Sequence, residues 1–489
     1  MIQLPRRTVG RLESLTAVEM REIMDQTAPI EYDEWLAGLA FERLTEMFIR
    51  RGCTRVLVKR LAPDQDKDKK QIYVGKDLAQ LGEIPIGDVE ASATSSRKPG
   101  ALGKTKFTAP VEFNWISPGG DSPAPHAKLI FYPQYAGGQG EVRLSGLVNG
   151  SSNPPKNLYI KAMAAQQEGR RLLLGIGSTR TVWGLILPPS SIAGDKIDAA
   201  TAHADQIATF RAWRLSAPNA PSSREIVLNR LAEISVGGWH SGQLLNANGL
   251  RDYKAKNGGG YTLEALLGVS ANGRAEPDFE GWEVKARKVL DPDHPGVNGV
   301  ITLMTPEPVY RISYNDFMHR YGYSRPDNPN RLDFTGRHFA NGPSLPKTGT
   351  RLVVSGWHGG NDIEPTARIS ISDRDDEEAA SWDIAQMVTH WTRKHAKCVY
   401  VPYTHRPAGD TTEYHYGGLV RMCQDTTLAR LLGGFVAQVI YYDPGMNLKI
   451  TPEGREDGHR RSQFRAKFRS IDTLYERSAD VDALHPSLE

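Results

Sequence analysis

Apolar residues follow two different patterns along the chain, and the change between them predicts two kinds of domain. From residue 32 to 51 the apolar positions recur at helical spacing, which predicts a helical segment. The next apolar runs are short and separated by Gly and Pro, at residues 54–61, 105–113, 128–131, 141–147, 157–163, 171–175 and 181–187. Many short strands with this punctuation favour a mainly β barrel or sandwich over an α/β fold.

The second half alternates helices with strands. A helix is predicted at 222–235 and a buried strand at 299–305. A further amphipathic helix carries apolar residues at positions 384, 387, 388 and 391, and a strand at 397–403 follows it. This alternation is typical of an α/β core. The acidic residues at 372–380 precede that helix, so we expect them to stabilise its dipole rather than to bind a metal.

The length of the chain predicts more than one domain. At 489 residues it exceeds the size at which a single hydrophobic core is usual. Residues 190–220 are rich in small side chains, as in a closing helix followed by a linker. We therefore place one domain at residues 1–215 and a second at 222–489.

Composition excludes several classes of protein. Hydrophobic residues make up 39% and charged residues 24% of the chain, which is ordinary for a soluble protein. No apolar run approaches the ~20 residues that span a bilayer, and the first residues lack the apolar core of a signal peptide. Cys53, Cys398 and Cys423 have no metal-binding or paired spacing and fit a reducing cytoplasm.

Charge alone does not identify a partner. The formal net charge is only +3, but basic residues cluster at 50–70, 97–106 and 455–469. Clusters of this kind are the electrostatic footprint of nucleic-acid binding. An ordinary solvated basic face explains each cluster equally well.

The segment at 258–289 carries the strongest chemical signal. Glu264 lies in an apolar helical run, Asp278 follows Pro277, and Glu283 and Lys285 lie two residues apart in an extended run. Successive side chains of a strand point to opposite faces, so Glu283 and Lys285 share one face. Three carboxylates and a lysine are then expected to converge on one polar surface.

This P-D-x(n)-E-x-K layout is typical of metal-dependent nucleases. Asp278 and Glu283 would supply the hard oxygen ligands that Mg²⁺ prefers. Lys285 would position the attacking water and offset negative charge on the phosphate. A solvated strand is the alternative interpretation, because short E-x-K alternations are common on exposed strands.

The residues around the motif carry a family resemblance. Residues 260–269 (GYTLEALLGV), 276–285 (EPDFEGWEVK) and 301–308 (ITLMTPEP) resemble the MvaI/BcnI restriction endonuclease family and, more distantly, the mismatch-repair nickase MutH. The resemblance implies an α/β PD-(D/E)xK core that cuts double-stranded DNA with Mg²⁺. It implies catalytic roles for Asp278, Glu283, Lys285 and Glu264, with Glu264 as a further metal ligand.

The same resemblance implies further partners and contacts. A restriction enzyme of this kind works in the bacterial cytoplasm, as a monomer or homodimer, beside a DNA methyltransferase that acts on the same site. His240 and Gln243 lie before the catalytic helix and are candidate DNA contacts, although a glycine-rich turn explains the segment equally well. The basic segment near the C-terminus contributes further candidate contacts, His459, Arg460, Arg461 and Arg465. His459 either assists near the scissile phosphate or is a solvated side chain.

The first half resembles the N-terminal effector-binding domain of the restriction enzyme EcoRII, a pseudobarrel that is also found in plant transcription factors. The resemblance rests on residues 57–61, 71–73, 84–87, 128–132 and 183–188. It implies that two arms read duplex DNA in the major groove. The candidate readers are Lys59, Arg60, Gln71, Tyr132 and Arg143, since Arg and Gln can bind base edges through paired hydrogen bonds. An ordinary amphipathic strand with solvated basic residues is the alternative.

The sequence therefore predicts a sequence-specific, Mg²⁺-dependent DNA endonuclease of the restriction type, with a second DNA-reading domain. A modification-dependent endonuclease and a strand-specific repair nickase stay open as alternatives. A DNA-binding regulator without catalytic activity is the rival from another class.

Overall fold

A computed structural model describes residues 32–63, 71–95, 103–118, 120–135, 138–155, 158, 168–177, 179–215, 221–255, 258–270 and 278–486. Most of the strand predicted at 157–163 lies outside the described residues, as does Pro277.

The first half is built mainly from strands, as its pattern predicts. Its helices are α1 (Tyr32–Ala37), α2 (Phe41–Ile49) and α3 (Ile192–Ala200). Its strands are β1 (Cys53–Arg60), β2 (Ile72–Gly75), β3 (Glu90–Ala93), β4 (Thr105–Pro110), β5 (Phe113–Trp115), β6 (Ser122–Pro123), β7 (Lys128–Tyr132), β8 (Glu141–Ser145), β9 (Arg171–Gly177), β10 (Val182–Leu187), β11 (Gln206–Ile207) and β12 (Phe210–Arg214).

These strands form two sheets in the described part of the chain. The order of the larger is β11-β12-β1-β9-β10-β5-β6, and that of the smaller is β2-β8-β7-β4-β3. Helix α2 packs Leu44, Met47 and Phe48 against the larger sheet, because these positions share one helical face. The resemblance to the EcoRII N-terminal domain stays a prediction.

The second half contains the helices α4 (Ser223–Val236), α5 (Gly258–Leu266), α6 (Tyr314–Tyr321), α7 (Ile384–His395) and α8 (Leu428–Val436). Its strands are β13 (Trp239–Ser241), β14 (Gln243–Asn246), β15 (Gly249–Asp252), β16 (Glu283–Lys288), β17 (Val300–Met304), β18 (Val309–Tyr310), β19 (Tyr323–Arg325), β20 (Asn328–Thr335), β21 (His338–Phe339), β22 (Arg351–Gly359), β23 (Asp362–Ser372), β24 (Glu378–Asp383), β25 (Lys397–Ala408), β26 (Thr411–Tyr416), β27 (Leu419–Gln424), β28 (Ile440–Tyr442), β29 (Gly445–Ile450), β30 (Glu456–His459), β31 (Phe464–Lys467) and β32 (Arg477–Asp482).

Strand β25 is the centre of the sheet that carries the nuclease motif. It pairs antiparallel with β26 and β27 and parallel with β16, in register Glu283 to Cys398. Helices α4 and α5 pack on one face of this sheet through buried residues such as Leu231 and Leu263. Val284 faces the same core, so the alternation of β16 leaves Glu283 and Lys285 on the opposite face.

The interpretation of the acidic run at 372–380 was wrong. Asp373 to Glu377 form the turn between β23 and β24, and the first turn of α7 holds no acidic residue. Asp373 and Glu377 bind Arg320 instead. The helix is capped by Asp383, whose carboxylate accepts a hydrogen bond from the Gln386 N–H at 2.7 Å.

Buried contacts join the two halves of the chain. The largest apolar cluster contains residues of both, including Leu78 and Leu81 of the first half and Trp391 and Leu431 of the second. The buried Asp77 carboxylate also accepts a hydrogen bond from the Leu428 N–H at the start of α8, at 2.9 Å. The boundary near 215–222 stays a prediction. No helix in the described ranges is long and apolar enough to cross a membrane.

Candidate active site

A tight hairpin sets the spacing of Asp278 and Glu283. The Phe279 and Trp282 backbones exchange hydrogen bonds of 3.0 and 2.8 Å across a turn whose central residues are Glu280 and Gly281. Both central residues have positive φ, 52° and 80°. This conformation suits Gly and is strained for Glu. The turn brings Asp278 back beside β16, where its Oδ2 accepts a hydrogen bond from the Val284 N–H at 2.9 Å.

Glu283 and Lys285 meet on the polar face of β16. The Lys285 Nζ lies 3.0 Å from the Glu283 Oε1, and the Glu283 side chain is only 7% exposed. An ion pair this deeply buried retains its charges because each ion compensates the other. Arg287 shares the strand face but points into the following loop, where it donates to the carbonyl oxygens of Pro295, Gly296 and Asn298.

Glu264 enters the site from helix α5. The helix begins with Gly258 and Gly259, and a Cβ at either would lie 2.4 Å from a tyrosine of the sheet that contains β16. Glycine therefore allows the helix to pack directly on that sheet. Strand β14 supports the other side of helix α5, since the Gln243 N–H donates to the Thr262 hydroxyl at 3.1 Å.

A second lysine, which sequence reasoning missed, completes the cluster. Lys394 lies in the last turn of α7, and its Nζ is 2.9 Å from the Glu283 Oε2 and 3.6 Å from the Asp278 Oδ1. The parallel pairing of β16 with β25 explains its position, because it brings the residues just before Cys398 close to Glu283. The structure thus brings Asp278, Glu283, Lys285 and Lys394 together through ion pairs, and Glu264 lies close enough for their charges to act on it.

The three carboxyl groups differ in proton affinity. Burial raises the pKa of Glu264 to about 7, and the charges of Asp278 and Glu283 add to the rise. Burial raises the pKa of Asp278 to about 6, with a further rise caused by Glu283. Burial acts in the same direction on Glu283, but Lys285 and Lys394 outweigh it and hold the pKa of that carboxyl below its ordinary value.

Asp278 and Glu283 offer carboxylate oxygens of the kind that Mg²⁺ prefers. Asp278 and Glu283 direct one oxygen each at a single positive charge, the Lys394 ammonium. Among the described residues, no three His, Cys, Asp or Glu side chains form a cage that could hold a metal unaided. Mg²⁺ is commonly held by only one or two carboxylates, with water and substrate phosphate as the other ligands.

Comparison with known proteins covers the part of the chain that contains this cluster. The model of the MvaI/BcnI restriction endonuclease family matches residues 228–475, about half of the chain.

The chain belongs to the MvaI/BcnI restriction endonuclease family.

Solved structures of MvaI are also similar to this protein. The MvaI–cognate DNA substrate complex is 17% identical with a TM-score of 0.39, and the match covers 53% of this chain and 99% of that one. MvaI in the absence of DNA is 14% identical with a TM-score of 0.30, and the match covers 54% and 98% of the two chains. No curated protein sequence matches the chain. The segment matched to the MvaI/BcnI family contains all five clustered residues, and the first half of the chain lies outside it.

The predicted DNA-reading residues of the first half separate into two groups. Arg143 donates to the Gln71 Oε1 at 2.9 Å, and its guanidinium carbon lies 5.4 and 4.7 Å from the ring centroids of Tyr132 and Tyr135. We call these four residues, with Tyr73 directly opposite Arg143, the tyrosine–arginine cluster. Lys59 adjoins it, with its Nζ 5.7 Å from the Tyr73 ring.

Arg60 lies in the other group, where its guanidinium is paired with Asp198 of α3. The guanidinium of Arg143 is likewise paired, with Glu141 of its own strand.

The predicted contacts of the second half occupy several elements. His240 bonds the Ile234 carbonyl oxygen through its Nε2 at 2.8 Å, and Gln243 supports α5. His459 ends β30, and its carbonyl oxygen accepts a hydrogen bond from the Tyr314 hydroxyl. The side chains of the segment 459–461 are exposed. Arg465 is paired with Asp443 at 2.7 Å.

Proposed function

We propose that the protein is a Mg²⁺-dependent, sequence-specific DNA endonuclease of the restriction type. The single observation that carries the proposal is the convergence of Asp278, Glu283 and Lys285, with Glu264 beside them, within a chain of the MvaI/BcnI family. An exposed strand that carried an E-x-K sequence by chance would leave Glu283 in solvent, whereas its side chain is almost completely buried.

Asp278 and Glu283 are the proposed ligands of the metal ion. When bound, Mg²⁺ would neutralise negative charge that develops on the phosphate. Lys285 is held beside Glu283, where its ammonium can orient a water molecule and a phosphate oxygen. The fixed position of the Lys285 ammonium matters because charged groups that are already oriented stabilise a transition state without reorganising.

Glu264 is suited to holding or exchanging a proton at neutral pH. Its pKa of about 7 means that both protonation states are populated there. We propose that its carboxyl group binds a second ion or the water around the first. The proposal is supported by the closeness of Glu264 to Asp278 and Glu283, whose charges raise its pKa.

The first half is proposed to read duplex DNA through the tyrosine–arginine cluster. Tyr73 is 41% exposed and Tyr135 is 42% exposed. The Tyr135 ring lies beside the guanidinium of Arg143. Arginine and glutamine are the side chains that bind guanine and adenine edges through paired hydrogen bonds. The exposed basic segment 459–461 is the proposed phosphate contact of the second half.

Digestion of plasmid DNA by the purified protein tests the proposal. We expect cleavage with Mg²⁺, no cleavage with EDTA, and a rate at least about 10²-fold lower for Asp278→Asn and Lys285→Ala. Lys288→Ala is the matched control, since Lys288 lies on the same strand and is exposed. Both catalytic variants should still retard DNA on a gel. Parent-like cleavage by Asp278→Asn would refute the assignment.

The form of the product separates the alternatives. Linear plasmid indicates double-strand cleavage, whereas persistent open circles indicate a nickase. Digestion restricted to modified phage DNA indicates a modification-dependent enzyme. DNA binding without any Mg²⁺-dependent cleavage would favour the regulator.

A further inference from the structure

The turn between the two proposed metal ligands contacts the first half of the chain. Its tip is formed by Glu280 and Gly281, and both residues touch side chains that the family match does not include. The Arg214 Nη1 of β12 lies 3.0 Å from the Glu280 Oε2. A Cβ at Gly281 would lie 3.1 Å from the Glu83 Oε1 and 3.3 Å from the Arg55 Nη1. The tip therefore rests on residues of the first half.

Glu83 is the centre of a buried charge cluster behind that tip. Its side chain is 3% exposed and lies 3.2 Å from the Arg55 Nη1 and 2.6 Å from the Lys397 Nζ. Lys397 begins β25 and directly precedes Cys398, the parallel partner of Glu283. Through this one carboxylate, the first half contacts both the turn that precedes β16 and the first residue of β25.

The chain segment that contains Glu83 also packs along the helix of Lys394. A Cβ at Gly82 would lie 2.7 Å from the Thr392 carbonyl oxygen, so the two backbones are in close contact. Arg393 donates to the Ile86 carbonyl oxygen at 3.3 Å and to Asp88 at 3.1 Å. The segment 82–88 thus contacts helix α7 on one side and the charge cluster behind the turn on the other.

The turn needs such support because it is strained. Glu280 has a φ of 52°, in the left-handed region that is unfavourable for a residue other than glycine. Without an external hold, this strain would favour opening of the turn.

We propose that Glu83 and Arg214 are positioning residues for the nuclease reaction, by which the first half fixes the turn that spaces Asp278 and Glu283. This inference rests on the proposed function for its catalytic consequence. The first half then supports the nuclease centre, in addition to any role in reading DNA. Displacement of a reacting group by about 1 Å can cost on the order of 10²-fold in rate, which sets the size of the effect.

Exchange of the charges of Arg214 and Glu280 gives the sharpest test. We expect Arg214→Glu and Glu280→Arg each to lower kcat for DNA cleavage by about 10- to 100-fold. The KM for DNA should change little, because neither residue needs to touch the substrate. The double variant restores the ion pair in reverse and should recover most of the lost kcat. Arg211→Glu is the matched control, since Arg211 is an exposed residue on the same strand.

Hydrogen exchange at the turn provides a readout independent of activity. The single variants should speed exchange of the Trp282 and Val284 amides, which donate within the turn and to Asp278, and the double variant should reverse this. Glu83→Gln should also speed exchange at these amides. The melting temperature of Glu83→Gln is also measured, because Arg55 and Lys397 lose the carboxylate that they share.

The outcomes separate the two proposals. Parent-like kcat and parent-like exchange in Arg214→Glu overturn the positioning role, even if the parent cleaves DNA well. A parent protein that does not cleave, but whose turn loosens in both single variants and tightens in the double variant, supports the hold of the first half on the turn and refutes the nuclease function. Loss of kcat that the double variant does not recover also overturns the role, because the loss would then not depend on the ion pair.

Discussion

The Lys394 ammonium lies 2.9 Å from the Glu283 Oε2, so that Glu283 is bound by a lysine at each of its two oxygens. One lysine comes from the strand of the motif, and the other comes from a helix 111 residues further along. Lys394 also lies 3.6 Å from the Asp278 Oδ1. Its charge therefore occupies the position at which a cation would meet both carboxylates.

Loss of Lys394 should destabilise the metal-free protein. Among the described residues, Lys394→Met leaves Glu283 with one cation and Asp278 without an ion pair. Breaking a buried pair costs about 3–5 kcal/mol. We expect a lower melting temperature in EDTA and a larger stabilisation by Mg²⁺ than in the parent, because the ion replaces the missing charge. Lys288→Met is the control for an exposed lysine. Equal melting of the two variants in EDTA would contradict the prediction.

Glu264 should make the protein less stable as the pH rises. Its pKa in the folded protein is about 7, against an ordinary value of 4.5. Between these values the unfolded chain releases the proton while the folded protein keeps it, so stability is lost as the pH rises from about 4.5 to about 7. Glu264→Gln removes this penalty.

The measurement is thermal or urea unfolding of Glu264→Gln in EDTA at two pH values. We expect a gain in unfolding free energy of about 2 kcal/mol at pH ~8 and no gain at pH ~4. Glu233→Gln, an exposed position on α4, is the control. A gain of equal size at both pH values would show that packing, and not proton affinity, is responsible.

Arg287 should be essential for the loop that follows β16. It donates three hydrogen bonds to backbone carbonyl oxygens at 2.8–3.2 Å, and its guanidinium carbon lies 3.9 Å from the centroid of the Phe468 ring. A lysine cannot reproduce this planar set of donors. We expect Arg287→Lys to lower the unfolding free energy by about 2–3 kcal/mol, measured by chemical denaturation. Lys288→Arg should be neutral, and an equally small effect of Arg287→Lys would show that the loop is held by other contacts.

Arg143 should contribute to DNA binding without affecting the chemical step. In a cleavage-deficient Asp278→Asn background, Arg143→Ala should weaken binding of the cognate duplex by about tenfold. The control is Arg211→Ala, since Arg211 is an exposed arginine that donates to carbonyl oxygens of the chain. Fluorescence anisotropy at fixed salt measures both. Unchanged affinity would remove the tyrosine–arginine cluster from the proposed interface.

Local features of the site could be predicted from the sequence. Glu264, Asp278, Glu283 and Lys285 lie within one short segment, and the two-residue period of a strand suffices to place Glu283 and Lys285 on one face. The buried face of α7 follows equally directly from its helical spacing, and Met387, Val388 and Trp391 are indeed buried.

Lys394 could not be found in this way, because its position depends on which strands pair. No local sequence pattern indicates that β25 pairs in parallel with β16. The available signal was also ambiguous. A cluster of basic residues in the last turn of a helix is ordinarily explained by the helix dipole, and Arg393, Lys394 and His395 form such a cluster. The acidic run at 372–380 was misinterpreted for a related reason, since its arginine partners are distant in sequence.

The hydrogen bond from the Leu428 amide to the buried Asp77 carboxylate has a consequence for how the chain denatures. A helix of one half begins on a side chain of the other, within an apolar cluster that both halves share. Neither half can then lose its structure without exposing the interior of its neighbour. Calorimetry of the intact chain should record a single cooperative heat-absorption peak rather than two successive ones.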